Sequence, residues 1–242
     1  MVDYRGEFNR AEEDGLRGVA GESGCLYIAD YILRRIEPPQ NGRILDLGCG
    51  DGRVLRAMHN LRPDLYCVGV DFAEQKVAQA NAENKMTDSL SFETKDLRHD
   101  DVESLGRFSR IFSFSVIQYL KPKEFVGLNR RLQGALLPDG TLSHLSIPDL
   151  AKRVVLFQND FLNHTPCGPL QSAIHFLKMA IVDYKRRMAH DRHYGNSLFH
   201  AAEELAAISR PAFHTEIVRP SDSWYRFDAI LKPVGIVCQK TD

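Results

Sequence analysis

The chain has 242 residues, and 31 Lys and Arg against 32 Asp and Glu leave a formal net charge of -1. Hydrophobic residues make up 43% and charged residues 26%, an ordinary composition for a globular protein long enough to bury a continuous core. The near-neutral balance argues against a nucleic-acid binder that works through a basic footprint, and no stretch approaches the roughly 20 apolar residues of a membrane-spanning helix.

The opening MVDYRGEFNRAEEDG is polar and acidic, unlike a signal or transit peptide, so the expectation is a cytoplasmic protein with no membrane contact. Cys25, Cys49, Cys67, Cys167 and Cys238 form no C-x-x-C pair and read as free thiols, not as a disulfide framework or zinc site.

Strand-like and helix-like stretches alternate along the chain, the pattern of a mostly parallel sheet wrapped by helices. Gly24 to Ile36 reads as a helix, followed by an apolar strand, Arg43 to Leu47, and a helix from Arg53 to His59. A second strand, Tyr66 to Val70, leads into a helix from Ala73 to Asn84. The third strand, Ser89 to Glu93, is short and polar, which places it at an edge. After a break at Gly106 to Ser109 comes a fourth strand, Ile111 to Ser115, and a helix over Pro122 to Ala135. Pro138-Asp139-Gly140 reads as a turn before a fifth strand, Thr141 to Ile147. A helix over Ala201 to Ser209 precedes two last strands, Phe213 to Val218 and Tyr225 to Val234.

Residues 150 to 200 exceed an ordinary connection. Within them Leu170, Ile174, Leu177, Ile181, Tyr184 and Met188 recur at steps of four and three, one apolar face of a helix that ends in Lys185-Arg186-Arg187. Such a helix packs on the domain or on a partner chain, permitting a homodimer, or forms a substrate-shaping lid. His190-x-x-His193 with Asp191 reads as a polar helix end and not as a metal site, since no third or fourth ligand is evident.

The most specific signal is Ile44-Leu45-Asp46-Leu47-Gly48-Cys49-Gly50-Asp51-Gly52, a buried strand running into three glycines at alternate positions and then a helix. Glycines suit a sharp turn and the close approach of a ligand, and the helix start offers N–H groups to it. Asp71 ends the second strand nineteen residues after Gly52, the spacing of an acid that bonds ribose hydroxyls. A dinucleotide site would show G-x-G-x-x-G; here the spacing is G-x-G-x-G, and Asp46 adds a carboxylate that would repel a pyrophosphate and suit a cation. Each acid also has a plain structural reading: Asp46 as a turn cap, Asp71 as a helix cap, Asp96 as a loop carboxylate.

On these residues the sequence resembles the class I S-adenosylmethionine-dependent methyltransferases. Asp46 to Gly52 resembles that family's first motif, Val70-Asp71 its second and Thr94-Lys95-Asp96-Leu97 its third, with Asp96 beside the adenine. Phe108 to Leu120 resembles the fourth, with Ser109 where an Asp usually follows the Phe, a position read as preceding the strand. Leu136 to Leu142 resembles the turn into the fifth strand. The resemblance implies a single methyltransferase domain over 1–242. Its fold is expected to be a Rossmann-like, doubly wound α/β sheet of seven mostly parallel strands, with 150–200 as a helical insertion or lid. The implied cofactor is S-adenosylmethionine, held by Asp46, Gly48, Cys49, Gly50, Gly52, Asp71, Phe72, Asp96, Leu97, Ser113 and Ser115, with no metal. Cys49 is expected to touch it through backbone, not as a reactive thiol.

Methyl transfer from a sulfonium needs alignment, and a hydroxyl acceptor also needs a base. His144 in the fifth strand is either a bonded core histidine or that base; Asp149 caps a turn or meets substrate; His200 reaches the pocket or lies on the surface. Gln118 and Tyr119 face substrate or begin a helix. Ser146-Ile147-Pro148-Asp149 and Trp224-Tyr225-Arg226-Phe227-Asp228 resemble polysaccharide and small-molecule methyltransferases, in which an Asp often stands where Ser146 is. The sequence lacks the Asn/Asp-Pro-Pro-Tyr/Phe pattern of nucleic-acid amino-methylating relatives, leaving a small-molecule acceptor, a hydroxyl of a sugar or secondary metabolite, as the expectation. The alternative is a non-catalytic nucleoside-binding scaffold with the same fold.

Overall fold

The computed structural model describes residues 22–84, 87–154, 168–189, 193–194, 197–198, 200–210, 212–220 and 226–234. Cys167, Cys238, His190, Asp191, Trp224 and Tyr225 lie outside the described residues.

In chain order the elements are α1 (Glu22–Ile36), β1 (Arg43–Leu47), α2 (Arg53–Leu61), β2 (Tyr66–Asp71), α3 (Glu74–Glu83) and β3 (Leu90–Thr94). There follow β4 (Phe108–Phe114), α4 (Pro122–Gly134), β5 (Leu136–Pro148), α5 (Pro169–Met188), β6 (His193–Tyr194), β7 (Ser197–Leu198), α6 (Ala202–Ser209), β8 (Phe213–Val218) and β9 (Arg226–Pro233). Seven strands form one sheet in the order β3-β2-β1-β4-β5-β9-β8. The pairs from β3 to β5 are parallel, and β9 runs antiparallel to both β5 and β8. The order reverses at β1 and β4, which opens a crevice at their carboxyl ends.

Both faces of this sheet are covered, so successive strand residues enter two different cores. Ile44, Cys67, Phe112 and Leu145 pack with Ile28, Ile32, Leu55 and Met58 of α1 and α2. Leu45, Val68, Ile111 and Leu142 pack on the other face with Phe125 and Leu128 of α4 and Leu205 of α6.

Two strands are longer than expected. β4 begins at Phe108, so Ser109 lies inside the strand, where its hydroxyl donates to the Arg43 carbonyl at 2.9 Å. Pro138-Asp139-Gly140 interrupts pairing without ending β5: partners step from Phe108–Leu136 to Arg110–Thr141, so the tripeptide bulges from a continuous strand. The β6–β7 hairpin was not anticipated, because neither two-residue strand has a readable period.

The α5 helix spans the expected stretch but its apolar face is not packed on the domain: Leu170, Leu177, Tyr184 and Met188 are 62–75% exposed. The opposite face supplies the anchor, Asp183, which accepts from Arg153 Nε at 2.5 Å with both side chains buried. Among the described residues no helix is long and apolar enough to cross a membrane.

Candidate functional site

Gly48, Gly50 and Gly52 all have positive φ, at 82°, 55° and 74°. A side chain at Gly48 would place its Cβ 2.5 Å from Val116 Cγ2, so the close approach of the β4 turn requires glycine as firmly as the dihedral does. The turn's N–H groups point inward: Gly48 and Cys49 both donate to the Val70 carbonyl, at 2.7 and 3.0 Å, and Gly50 donates to Asp71 Oδ2 at 3.0 Å. At the start of α2, the Asp51 carboxylate accepts from the Arg53 N–H and pairs with its guanidinium. The Arg53 N–H at the helix start is therefore already bonded to a protein anion, as the Gly48, Cys49 and Gly50 N–H groups are bonded within the protein.

The Asp71 carboxylate is fixed from two sides, by Gly50 N–H and by Ala73 N–H at 2.9 Å. It stands at the edge of an open cleft of about 1140 Å³ that Gly48, Cys49, Gly50, Phe72, Leu97 and Ser115 also line. Asp96 lines it too, clasped by Arg98 at 2.9 and 2.7 Å, and this guanidinium holds its carboxyl below the usual range. Gln118 and Tyr119 sit on a short helical turn and line the same cleft. Eight of the eleven expected cofactor residues are thus brought together.

Asp46, Gly52 and Ser113 do not line it. Asp46 is buried next to the turn, and burial together with the negative Asp71 raises its carboxyl to about 8. Gly52 serves packing: a Cβ there would meet the Phe92 ring at 2.5 Å. Ser113 is wholly buried and bonded to His144. The Cys49 thiol is pushed up by burial and by the neighbouring carboxylates, which leaves it unreactive.

None of the three expected acceptor-side residues lines either cleft described here. His144 is wholly buried against Phe125, with Nδ1 2.9 Å from Ser113 Oγ and Nε2 3.0 Å from Asn129 Oδ1. It is a core histidine, kept neutral because burial lowers its pKa to about 3. Asp149 caps the turn that follows β5, accepting from Ala151 N–H at 2.9 Å. His200 is buried, with Nε2 3.1 Å from the Ile117 carbonyl.

A second cleft of about 530 Å³ adjoins the first at Phe114, which lines both. Its other walls are Tyr27, Ile28 and Tyr31 of α1 and Ser146 and Arg226 of β5 and β9. The Tyr31 hydroxyl donates to the wholly buried Asp228 carboxylate, and burial with this partner raises the phenol above its usual range. Tyr31 gave no signal in sequence because its partner lies 197 residues away.

Residues 44–140 match the family described as Methyltransferase domain. The chain is 29% identical over 105 residues to a carboxy-S-adenosyl-L-methionine synthase of Campylobacter concisus, covering 42% of this chain and 43% of that protein. It is 30% identical over 125 residues to a trans-aconitate 2-methyltransferase of Variovorax paradoxus, covering 50% of this chain and 44% of that one. The chain thus spans less than half the length of these curated relatives. The fold is similar to that of the PH0226 protein from Pyrococcus horikoshii, at TM-score 0.62 and 16% identity over 90% of this chain and 94% of that one. Residues 44–140 are thus similar to a methyltransferase domain, and the glycine turn, the Asp71 spacing and the sheet order agree with the resemblance to the class I S-adenosylmethionine-dependent methyltransferases.

Proposed function

We propose that the chain transfers a methyl group from S-adenosylmethionine to an oxygen of a small-molecule acceptor. One observation carries this reading: Asp71, fixed by the Gly50 and Ala73 N–H groups, borders a cleft whose glycine turn has spent its own donors inside the protein. Such a site accepts hydrogen bonds from ribose hydroxyls and keeps the Gly48, Cys49 and Gly50 N–H groups from a pyrophosphate, which fits a nucleoside sulfonium better than a dinucleotide.

The cofactor, when bound, supplies a methyl carbon already activated by a sulfonium. The work left to the protein is positioning and exclusion of water. Asp71 takes the ribose, while Asp96 and Leu97 border the base; Ser115, Gln118 and Tyr119 close the side of the cleft toward the acceptor. Asp46 is buried close enough to Asp71 to feel its charge, and the two effects raise its carboxyl to about 8.

The burial of His144, Asp149 and His200 is what favours the rival reading, a nucleoside-binding scaffold without chemistry. The open second cleft, polar at Ser146 and Arg226 and sharing the Phe114 wall with the first, supports the enzyme. The two readings part on a methyl-transfer assay, and the cofactor assignment is tested by calorimetry with S-adenosylmethionine, S-adenosylhomocysteine and NAD. Micromolar binding of the first two, weakened at least tenfold in Asp71→Ala, is expected. Binding of NAD alone, or of none of the three, overturns the reading.

A further inference from the structure

Two serines hold a left-handed backbone that is costly outside glycine: Ser115 at φ 58°, just past β4, and Ser146 at φ 59°, in the second bulge of β5. Both border the same guanidinium. Arg226 Nη1 donates to the Ser146 carbonyl at 2.6 Å and lies 3.4 Å from Ser115 Oγ, Ser146 Oγ and Gln118 Oε1. Ser115 and Gln118 line the first cleft, whereas Ser146 and Arg226 line the second, so this cation stands where the two clefts meet.

The facing wall is aromatic and fixed. Tyr31 is held at its hydroxyl by Asp228 and at its ring by the edge of Phe114, with centroids 6.3 Å apart and planes at 77°. Asp228 also accepts from Ser146 N–H at 2.9 Å and pairs with Arg35 Nε at 3.2 Å. Among the described residues, the charged ones lining this cleft are Arg226 and Asp228, and Arg35, from outside the lining, pairs with the buried Asp228 carboxylate. An aromatic slot with a guanidinium at its end, and with its one lining carboxylate already bonded by Tyr31, Ser146 N–H and Arg35, is complementary to a flat anion.

We infer that the second cleft binds the acceptor as a carboxylate on a planar ring, with the carboxylate on Arg226 and the ring against Tyr31 and Phe114. Arg226 then determines specificity, because a neutral amide of the same shape offers a guanidinium one carbonyl acceptor and no charge, where a carboxylate offers two charged oxygens. This inference rests on the methyltransferase reading for the role of the bound acid as acceptor.

The test uses the full chain saturated with S-adenosylhomocysteine, titrated with para-hydroxybenzoate and para-hydroxybenzamide. The acid is expected to bind at least tenfold tighter than the amide. In Arg226→Gln the preference should vanish, and in Arg226→Lys, which keeps the charge but not the fork, it should shrink without vanishing. The acid-to-amide ratio is the readout, because general loosening of the site moves both ligands together. Should Arg226→Gln fail to fold, Arg226→Lys carries the test alone. Equal binding of acid and amide, binding of neither, or a preference unchanged in the variants each overturns the inference. If S-adenosylhomocysteine fails to bind while the acid preference persists, the methyltransferase reading falls and the carboxylate site stands.

Discussion

The hydroxyl of Ser113 stands 2.9 Å from Nδ1 of His144, with both side chains wholly buried. A neutral imidazole is a donor at one nitrogen and an acceptor at the other, which satisfies Ser113 and Asn129 together; an imidazolium would bring two donors to the same pair. Burial, then the charge of His200, holds the folded pKa at about 3, so the unfolded chain takes up a proton that the fold refuses. This contribution to stability is complete above about pH 6.5 and is lost as the pH falls toward 3. His144→Ala is expected to lower the unfolding free energy by about 2–4 kcal/mol with little change in S-adenosylhomocysteine affinity. Denaturant unfolding beside calorimetry checks it; a variant of full stability that lost only turnover would return His144 to the chemistry.

Asp46 titrates in the opposite sense. Its folded pKa is raised to about 8, through burial and then Asp71, so its favourable contribution is present below the unfolded pKa and is lost as pH rises through 8. Asp46→Asn should therefore gain on the native chain between pH 4 and 8, at up to about 1.4 kcal/mol per pH unit. Thermal melts across that range, without cofactor, decide the matter, and a pH-independent difference counts against it.

Gly48→Ala would force a Cβ to 2.5 Å from Val116 Cγ2 at a φ of +82°. A loss of about 1–3 kcal/mol is expected, with weaker S-adenosylhomocysteine binding because Val116 lines the cleft. Adding Val116→Ala should recover part of the stability, since it removes the contact but not the backbone strain. No recovery in the double variant would assign the whole cost to the dihedral.

The Arg153–Asp183 pair, at 2.5 Å, is where α5 is tied to the domain. Removing one partner leaves a buried charge, so Asp183→Ala is expected to cost about 3–5 kcal/mol. By contrast Leu177→Ser, on the exposed stripe, should stay within about 0.5 kcal/mol. Chemical denaturation of both variants compares the two faces directly, and a large cost at Leu177 would mean that the stripe is packed in solution.

How far the chain could be read depended on the range of the interactions. The turn from β1 through Gly48 and Gly50 to α2, and the placing of Asp71 on β2, were legible because strand, glycines and acid lie within a short span whose geometry is local. The fate of His144 was not. Both faces of β5 are covered, so Thr141 to Ile147 shows no polar face from which its direction could be read, and pairing with β4 puts His144 opposite Ser113, inside the fold.

The sequence by itself therefore determined the sheet-and-helix alternation, the resemblance to the methyltransferases and most of the residues that line the first cleft, since each is set by backbone constraints within one βα unit. Only the tertiary structure decided which groups face an acceptor. Tyr31 meets Asp228 across 197 residues, and Arg226 gathers Ser115 and Ser146 from two separate strand ends. Strand order and the β5 bulge create those encounters, and neither is written in the period of any single segment.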